Sequence, residues 1–304
     1  MGKRTLAETI KETTRRHLEE NNGLLLGQSI TAVGWVNGTV PDVKGIIELP
    51  MTDVAGAGIA VGTAMVGRRP IFVLRFQDFL ILNASPLIFY AAKSKELHGK
   101  ATPIFVRALS TEGIGPVHSD VLHGVFMHFP GFRVAAPVTP GEFEEVFQTF
   151  LDNDDPVICS EHRDTFKVTE EMENVIHDKA DITLFPISCT RLHVAEAARI
   201  LAEKGIVCNI MHVLWLKPFD IIPEFQKALS SSKLGLVIDP GFEICGASRS
   251  LAYELTDHSG FPVKALAIED KTKCLCPPFE NRAPGAVKIV EKVIQLCRKS
   301  HGTE

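Results

Sequence analysis

Residues 45–79 read GIIELPMTDVAGAGIAVGTAMVGRRPIFVLRFQDF, and their reading decides the fold. Ile46 to Leu49 reads as a brief strand. Pro50, Met51, Thr52 and Asp53 then lead into residues 54–66, which are small and apolar all round. A stretch without a polar face predicts a helix buried on every side. Thr52 or Asp53 fits its N-cap. Gly67 and Pro70 end it, and residues 71–76 read as a buried strand.

The same alternation runs outward in both directions. Upstream, residues 5–20 predict an amphipathic helix with Leu6, Ile10 and Leu18 on one side. Leu24 to Gly27 reads as a short strand, and residues 28–45 as a turn-rich segment containing Gly34, Gly38 and Pro41. Downstream, helices are expected at 84–97, 120–129 and 142–152. Strands are expected at 103–109, 132–137 and 156–160, with a glycine-rich loop over 110–118. Alternation of this kind argues for α/β architecture, a parallel sheet covered by helices on both faces. Residues 161–179 are polar and acidic, a candidate linker. Beyond them strands are expected at 182–186, 207–213, 234–238 and 263–268. Helices are expected at 193–204, 221–229, 247–255 and 286–299. Two α/β domains follow, over residues 1–170 and 171–304.

Composition narrows the function classes. The chain has 304 residues, with 32 Lys and Arg against 37 Asp and Glu, a net charge of −5. Hydrophobic residues are 45% and charged residues 23%, a globular balance that excludes disordered, collagen-like and coiled-coil chains. The mild acidity argues against a nucleic-acid groove binder. No apolar run approaches the roughly 20 residues of a membrane span. The opening MGKRTLAETIKETTRRHLEE has no apolar core like that of a signal peptide. Its interleaved Glu argues against a transit peptide. The seven cysteines are odd in number and scattered, which reads as reduced thiols in a cytoplasmic protein.

Several local patterns compete for chemical meaning. Gly56, Gly58 and Gly62 approach a dinucleotide fingerprint, one residue too wide, and Asp78 lies 20 residues after Gly58. A nicotinamide-binding turn would run straight from a strand into its first glycine. Here Pro50, Thr52 and Asp53 intervene, so the glycines read as close-packing positions of a buried helix. His118, His123 and His128 are spaced by five, whereas helical zinc ligands come at i and i+4. Cys274 and Cys276 have no partner pair and read as plain thiols. Residues 239–246 form a glycine-rich strand-to-helix turn, for which an ordinary turn is the simpler reading than an anion site.

Three segments go beyond generic α/β sequence. They are residues 45–79, PIFVRALSTEGIGPVHSD (103–120) and PGFRVAAPVTPGEFEEVFQTFLDNDDPVICSE (130–161). In order and spacing they resemble the β subunit of the thiamine-diphosphate-dependent decarboxylating component of 2-oxo acid dehydrogenases. LKPFD (216–220) and CPPFENRAPGAVKIVEKV (276–293) are similar to segments of the transketolase C-terminal domain. The resemblance implies a transketolase-like pyrimidine-binding domain followed by a transketolase C-terminal α/β domain. It also implies thiamine diphosphate as cofactor, with only its aminopyrimidine held by this chain. The diphosphate and its Mg²⁺ would sit on an α-type partner subunit in an α₂β₂-type assembly. The partner's GDG motif is absent from this chain.

Site residues carry over one at a time. The family carboxylate that hydrogen-bonds the pyrimidine ring aligns with Asp53, in PMTD where the family has P-I-S-E. Aspartate is one methylene shorter, about 1.5 Å less reach. Phe79 aligns with the aromatic packed on the aminopyrimidine, and Met51 with an apolar contact to the same ring. His118 aligns with the histidine of the family's H-S-Q, which lies near the reacting carbon. Gln28 replaces a Glu near the cofactor. Asn153 and Asp155 fall in a turn where some members bind a monovalent cation. The expected protein is a β-like subunit of a heteromeric enzyme acting on a 2-oxo acid or a ketose. It would decarboxylate with acyl, acyloin or two-carbon transfer. A split transketolase C-terminal subunit and a non-catalytic structural or regulatory subunit are the alternatives.

Overall fold

The computed structural model describes residues 3–115, 117–272 and 281–300. Two compact units divide the chain, Met1–Glu171 and Met172–Glu304.

In the first unit, β1 (Leu24–Gln28), β2 (Ile46–Leu49), β3 (Pro70–Leu74), β4 (Phe105–Ser110), β5 (Arg133–Ala135) and β6 (Val157–His162) pair side by side. Their order is β2-β1-β3-β4-β6-β5 and every pairing is parallel. All six strands therefore present their C-terminal ends along one edge. β3, β4 and β6 are buried at every position, as expected for strands covered on both faces. Gly27 lets β1 lie close to β3, since a Cβ there would sit 2.6 Å from the Val73 carbonyl oxygen.

The helices of this unit are α1 (Leu6–Glu20), α2 (Ala32–Gly38), α3 (Val54–Met65), α4 (Leu80–Pro86), α5 (Ala92–His98), α6 (His123–Met127) and α7 (Pro140–Asp152). Reciprocal Thr5–Glu8 and Thr139–Glu142 capping boxes start α1 and α7. Phe105 of β4 meets Phe147 and Phe150 of α7 with ring centroids 5.0 and 5.3 Å apart. His17 of α1 approaches Phe147 edge-on at 5.3 Å.

Three sequence expectations change here. The α3 helix is not buried all round: Val54 and Ile59 are 51% and 52% exposed. Its inner face is Gly56, Ala57, Ala60, Val61 and Ala64, small residues that let the helix pack closely. The helix expected at 84–97 begins earlier. A 3₁₀ turn over Gln77–Phe79 runs into α4, a π turn over Leu87–Ala91 follows Pro86, and α5 continues to His98. Pro86 has no N–H to donate, and the path widens directly after it. Within the turn-rich segment, Gly34, Trp35, Val36, Asn37 and Gly38 have φ between 52° and 77°. The second half of α2 is thus a left-handed turn, which costs each non-glycine residue roughly 1–2 kcal/mol. The expected linker also begins later than 161, because Glu161 and His162 complete β6 and a 3₁₀ turn follows over Arg163–Thr165.

The second unit holds β7 (Ile182–Pro186), β8 (Cys208–Ile210), β9 (Trp215–Lys217), β10 (Gly235–Phe242) and β11 (Val263–Ile268). Four of them form a parallel sheet ordered β11-β10-β7-β8. Its helices are α8 (Thr190–Glu203), α9 (Pro223–Ser232), α10 (Ala247–Ser259) and α11 (Ala286–Ser300). Val194, Ala197 and Leu201 of α8 join Ile289 and Val293 of α11 in one core. Among the described residues Cys159, Cys189, Cys208, Cys245 and Cys297 form no disulfide. The Cys274–Cys276 pair lies outside the described residues. Among the described residues no helix is long and apolar enough to cross a membrane.

Candidate functional site

The C-terminal edge of the first sheet gathers the polar and aromatic residues that sequence reading singled out. This is the edge where open parallel sheets bind ligands. Two groups of side chains stand on it.

The first group lies past β1 and β2. Asp53 ends the short link from β2 to α3 and has φ 38° and ψ −97°, a conformation that L-residues rarely adopt. It occupies the N-cap position of α3, yet its side chain makes no capping hydrogen bond. The N-cap reading of its carboxylate therefore fails. Asp53 is half-buried, and its carboxylate has no hydrogen-bond or ion-pair partner among the described residues. The turn is held from below by Gln28, at the end of β1. In the orientation that satisfies its surroundings, the Gln28 amide oxygen accepts from the N–H of Asp53 at 2.7 Å and of Thr52 at 3.2 Å. Met51, in the same link, is 79% exposed.

The second group lies past β3, β4 and β6. Phe76 precedes the 3₁₀ turn after β3 and Phe79 ends it, and His118 comes from the loop after β4. The His118 ring lies 4.5 Å from Phe76 and 5.7 Å from Phe79, edge-on to both. Gln77 holds the turn in place: its Nε2 donates to Ser160 Oγ at 2.7 Å, and its Oε1 accepts from Leu122 N at 2.7 Å. Asp78 Oδ2 accepts from Asp120 N at 3.4 Å. These contacts tie the loop carrying His118 to the strand ends beneath it.

The structure thus brings His118 to Phe79 and Gln28 to Asp53. Between the groups, β1 and β3 are adjacent, and Arg75 Nη1 reaches the Ser29 carbonyl oxygen at 3.5 Å. Met51, two residues before Asp53 in the first group's link, exposes most of its surface.

Other candidates fall elsewhere. Gly56, Gly58 and Gly62 lie inside α3 rather than in the turn before it, which removes the dinucleotide-loop geometry. His123 Nδ1 bonds Ser160 Oγ at 3.0 Å in the core, and His128 packs on Phe129, so the three histidines do not converge. No group of three His, Cys, Asp or Glu among the described residues could hold a metal ion. Asn153 and Asp155 sit before β6, opposite the ligand edge. Arg69 Nη1 takes the Asn153 carbonyl at 2.8 Å, while Lys95 and Arg133 take the Asp155 carboxylate at 2.8 and 3.1 Å. Side chains already supply the positive charge at that turn.

Sequence reading missed Arg75, Phe76 and Arg163. Arg163 Cζ lies 4.6 Å and Arg75 Cζ 5.7 Å from the Phe76 ring centre. Each arginine directly follows a buried strand, which is the signal that could have marked them. Arg163 was hidden at the head of the presumed linker.

Comparison with known proteins fits this layout. Residues 14–168 match the family model described as transketolase, pyrimidine binding domain. The chain is 27% identical to the β subunit of acetoin:2,6-dichlorophenolindophenol oxidoreductase from Cupriavidus necator, over 77% of this chain and 72% of that one. It is 25% identical to the β subunit of the pyruvate dehydrogenase E1 component from Chaetosphaeridium globosum, over 98% and 99% of the two chains. Among solved structures it is similar to a split-gene transketolase described as an inactive β4 tetramer, with TM-score 0.77, 15% identity and 97% and 98% coverage. A Pichia stipitis transketolase mutant gives TM-score 0.76 at 15% identity, matching 99% of this chain and 47% of that one. At such identity the structures establish the fold alone, a transketolase-like α/β architecture.

Proposed function

Since the chain belongs to the transketolase pyrimidine-binding domain family, we propose that it is the β-like subunit of a heteromeric thiamine-diphosphate-dependent enzyme. Its substrate would be a 2-oxo acid or a ketose, cleaved beside the carbonyl. The observation that carries this reading is the Asp53 carboxylate. It is half-buried, unpartnered, and fixed at the ligand edge of the sheet by a clamped, unfavourable backbone turn. Strain of this kind concentrates at functional sites.

The residues present fit the aminopyrimidine half of the cofactor. A ring nitrogen needs a carboxylate whose oxygens are free, and Asp53 offers one. Phe79 and Met51 supply apolar surface for the ring. Thiamine diphosphate, held through its ring by Asp53, Phe79 and Met51, would supply a nucleophilic carbon for chemistry beside a carbonyl. Asp53 accepts a hydrogen bond from the ring, Gln28 keeps its turn in place, and His118 exchanges a proton with the substrate. The diphosphate and Mg²⁺ belong to an α-type partner, giving an α₂β₂-type assembly. An exposed apolar row supports that partner: Val54 and Ile59 on α3, Ile81 and Leu82 on α4, Phe89 and Tyr90 in the π turn. Apolar rows of this extent mark interaction surfaces.

Affinity purification of the tagged chain from its host, read by mass spectrometry, tests the reading. A near-stoichiometric partner carrying GDG with a downstream Asn is expected. The pair should turn over a 2-oxo acid or a ketose only with thiamine diphosphate and Mg²⁺ present. A chain that associates only with itself, or a pair indifferent to the cofactor, overturns it.

A further inference from the structure

We propose that the cleft between α1 and α7 binds an elongated organic cation rich in N–H donors, of the linear aliphatic polyamine class. The cleft is separate from the ligand edge of the sheet. Its residues come from the two helices, and His17 on its floor bonds the carbonyl of Arg69, directly before β3 begins.

The cleft has a volume of about 510 Å³, within the range of small-molecule sites. On α1 it runs from Thr13 to Asn21 and on α7 from Glu144 to Leu151. That is about two helical turns of each, roughly 11 Å. Thr13, His17 and Phe147 form the floor, each less than a tenth exposed. Two polar atoms of this floor, Thr13 Oγ1 and His17 Nδ1, have no partner among the described residues. The other side of the His17 ring is fixed. Its Nε2 donates to the Arg69 carbonyl oxygen at 2.7 Å, and a Cβ on Gly23 would sit 2.3 Å from its Cδ2. That leaves the side carrying Nδ1 to line the cleft. With the proton on Nε2, this nitrogen is an acceptor. A buried acceptor left unmade is unfavourable, and a donor brought by a ligand relieves it.

The rim sets the charge of that ligand. Glu20, Glu144 and Glu145 line it against Arg16. Arg16 approaches Glu144 only to 3.8 Å, and Arg15 is turned to Glu12 and Glu19. The rim is therefore net acidic over a floor that accepts. Arg16 faces Glu144, and Glu20 lies one turn beyond Arg16 on α1, so the acids are spread along the cleft by about 6 Å. A metal ion needs them gathered, and no group of three His, Cys, Asp or Glu among the described residues could hold one. A linear amine meets a spread row instead. Its ammonium groups reach successive carboxylates, and its methylenes lie on Phe147 and Leu151 as a lysine stem lies on an apolar surface.

The test is calorimetry of the full chain with spermidine, at neutral pH and constant ionic strength, without cofactor or partner. Saturable binding of one equivalent is expected. Glu20→Gln and Glu144→Gln should each weaken it about threefold, and the double variant about tenfold or more. Glu203→Gln, which alters an exposed acid of the second unit, should leave it unchanged. The unaltered chain gives a second readout, free of folding effects, in the nuclear magnetic resonance of its histidine rings. The His17 signal, recognised by its loss in His17→Gln, should move with spermidine and stay in place with magnesium chloride. Absence of saturable binding, or undiminished binding by the double variant, overturns the proposal. So does a His17 signal that spermidine leaves in place, or that magnesium moves as far. Neither measurement uses thiamine diphosphate or a partner, so failure here leaves the proposed function standing, and failure of that function leaves this site standing.

Discussion

Gln28 and Asp53 are joined through one amide oxygen: it accepts from the Asp53 N–H at 2.7 Å and from the Thr52 N–H at 3.2 Å. The bond holds Asp53 at φ 38°, where an unsupported aspartate would not stay. Gln28 thereby fixes the direction of a carboxylate it does not touch.

Removing that acceptor should release the turn. Gln28→Ala leaves two N–H groups without their partner, at a cost of about 1–2 kcal/mol. Urea unfolding should show a lower midpoint at unchanged slope. Gln28→Glu keeps an acceptor in place and should retain the midpoint. Equal midpoints for the Ala variant and the parent would show that the turn is held by other contacts.

Asp53 itself should behave in the opposite way. Its side chain caps nothing, so Asp53→Asn should change stability by less than about 0.5 kcal/mol. In the reconstituted enzyme the same change should lower kcat about 100-fold or more, since a misplaced or uncharged group at a reacting centre has that effect. Asp53→Glu restores the family's longer reach and should retain turnover within about tenfold. A variant Asn enzyme as fast as the parent would exclude Asp53 from the chemistry.

The alternation of strands and helices and the parallel sheet follow from features visible along the chain. Buried strands such as residues 71–76 and 103–109 announce themselves by unbroken apolar runs, because both faces are covered. Asp53, His118 and Phe79 were singled out through the family resemblance, and the fold sets all three at the C-terminal edge of the first sheet. Three things were not legible. The outer face of α3 is apolar yet exposed, and periodicity cannot tell an apolar helix buried in a core from one that keeps an apolar face in the open. The left-handed turn at residues 34–38 contains Trp35 and Val36, neither of which favours that conformation. It is set by tertiary contact, Arg107 reaching Thr39 Oγ1 at 2.9 Å, rather than by propensity. The Arg75–Arg163 pair joins residues 88 positions apart, and only folding brings them to one corner.

The Arg107–Glu161 pair should be a strong determinant of stability. Arg107 on β4 bonds Glu161 on β6 through two parallel contacts of 2.6 and 2.7 Å, with 0% and 1% of the side chains exposed. Breaking a buried pair leaves a charge uncompensated, at about 3–5 kcal/mol. Arg107→Met should lower stability by that amount and also free the left-handed turn through Thr39. The double variant Arg107→Met, Glu161→Leu should recover much of the loss. A single variant as stable as the parent, read by chemical unfolding, would refute this.

His17 should make the first unit sensitive to mild acid. Its Nε2 donates to the Arg69 carbonyl oxygen at 2.7 Å, while Nδ1 is buried with no partner among Phe147 and Phe150. Burial pulls its pKa below the usual histidine value, because a second proton would place an unpaired charge in the core. The unfolded chain, with an ordinary histidine pKa of about 6.5, therefore binds the proton first as pH falls. Stability is full above that value and declines as pH drops below it toward the folded pKa. The slope is up to about 1.4 kcal/mol per pH unit. His17→Gln keeps a donor for Arg69 and removes the titration. Unfolding free energies measured from pH 7.5 to 5 should fall more steeply for the parent than for this variant. Parallel curves would mean that His17 is already protonated, or freely solvated, in the folded protein.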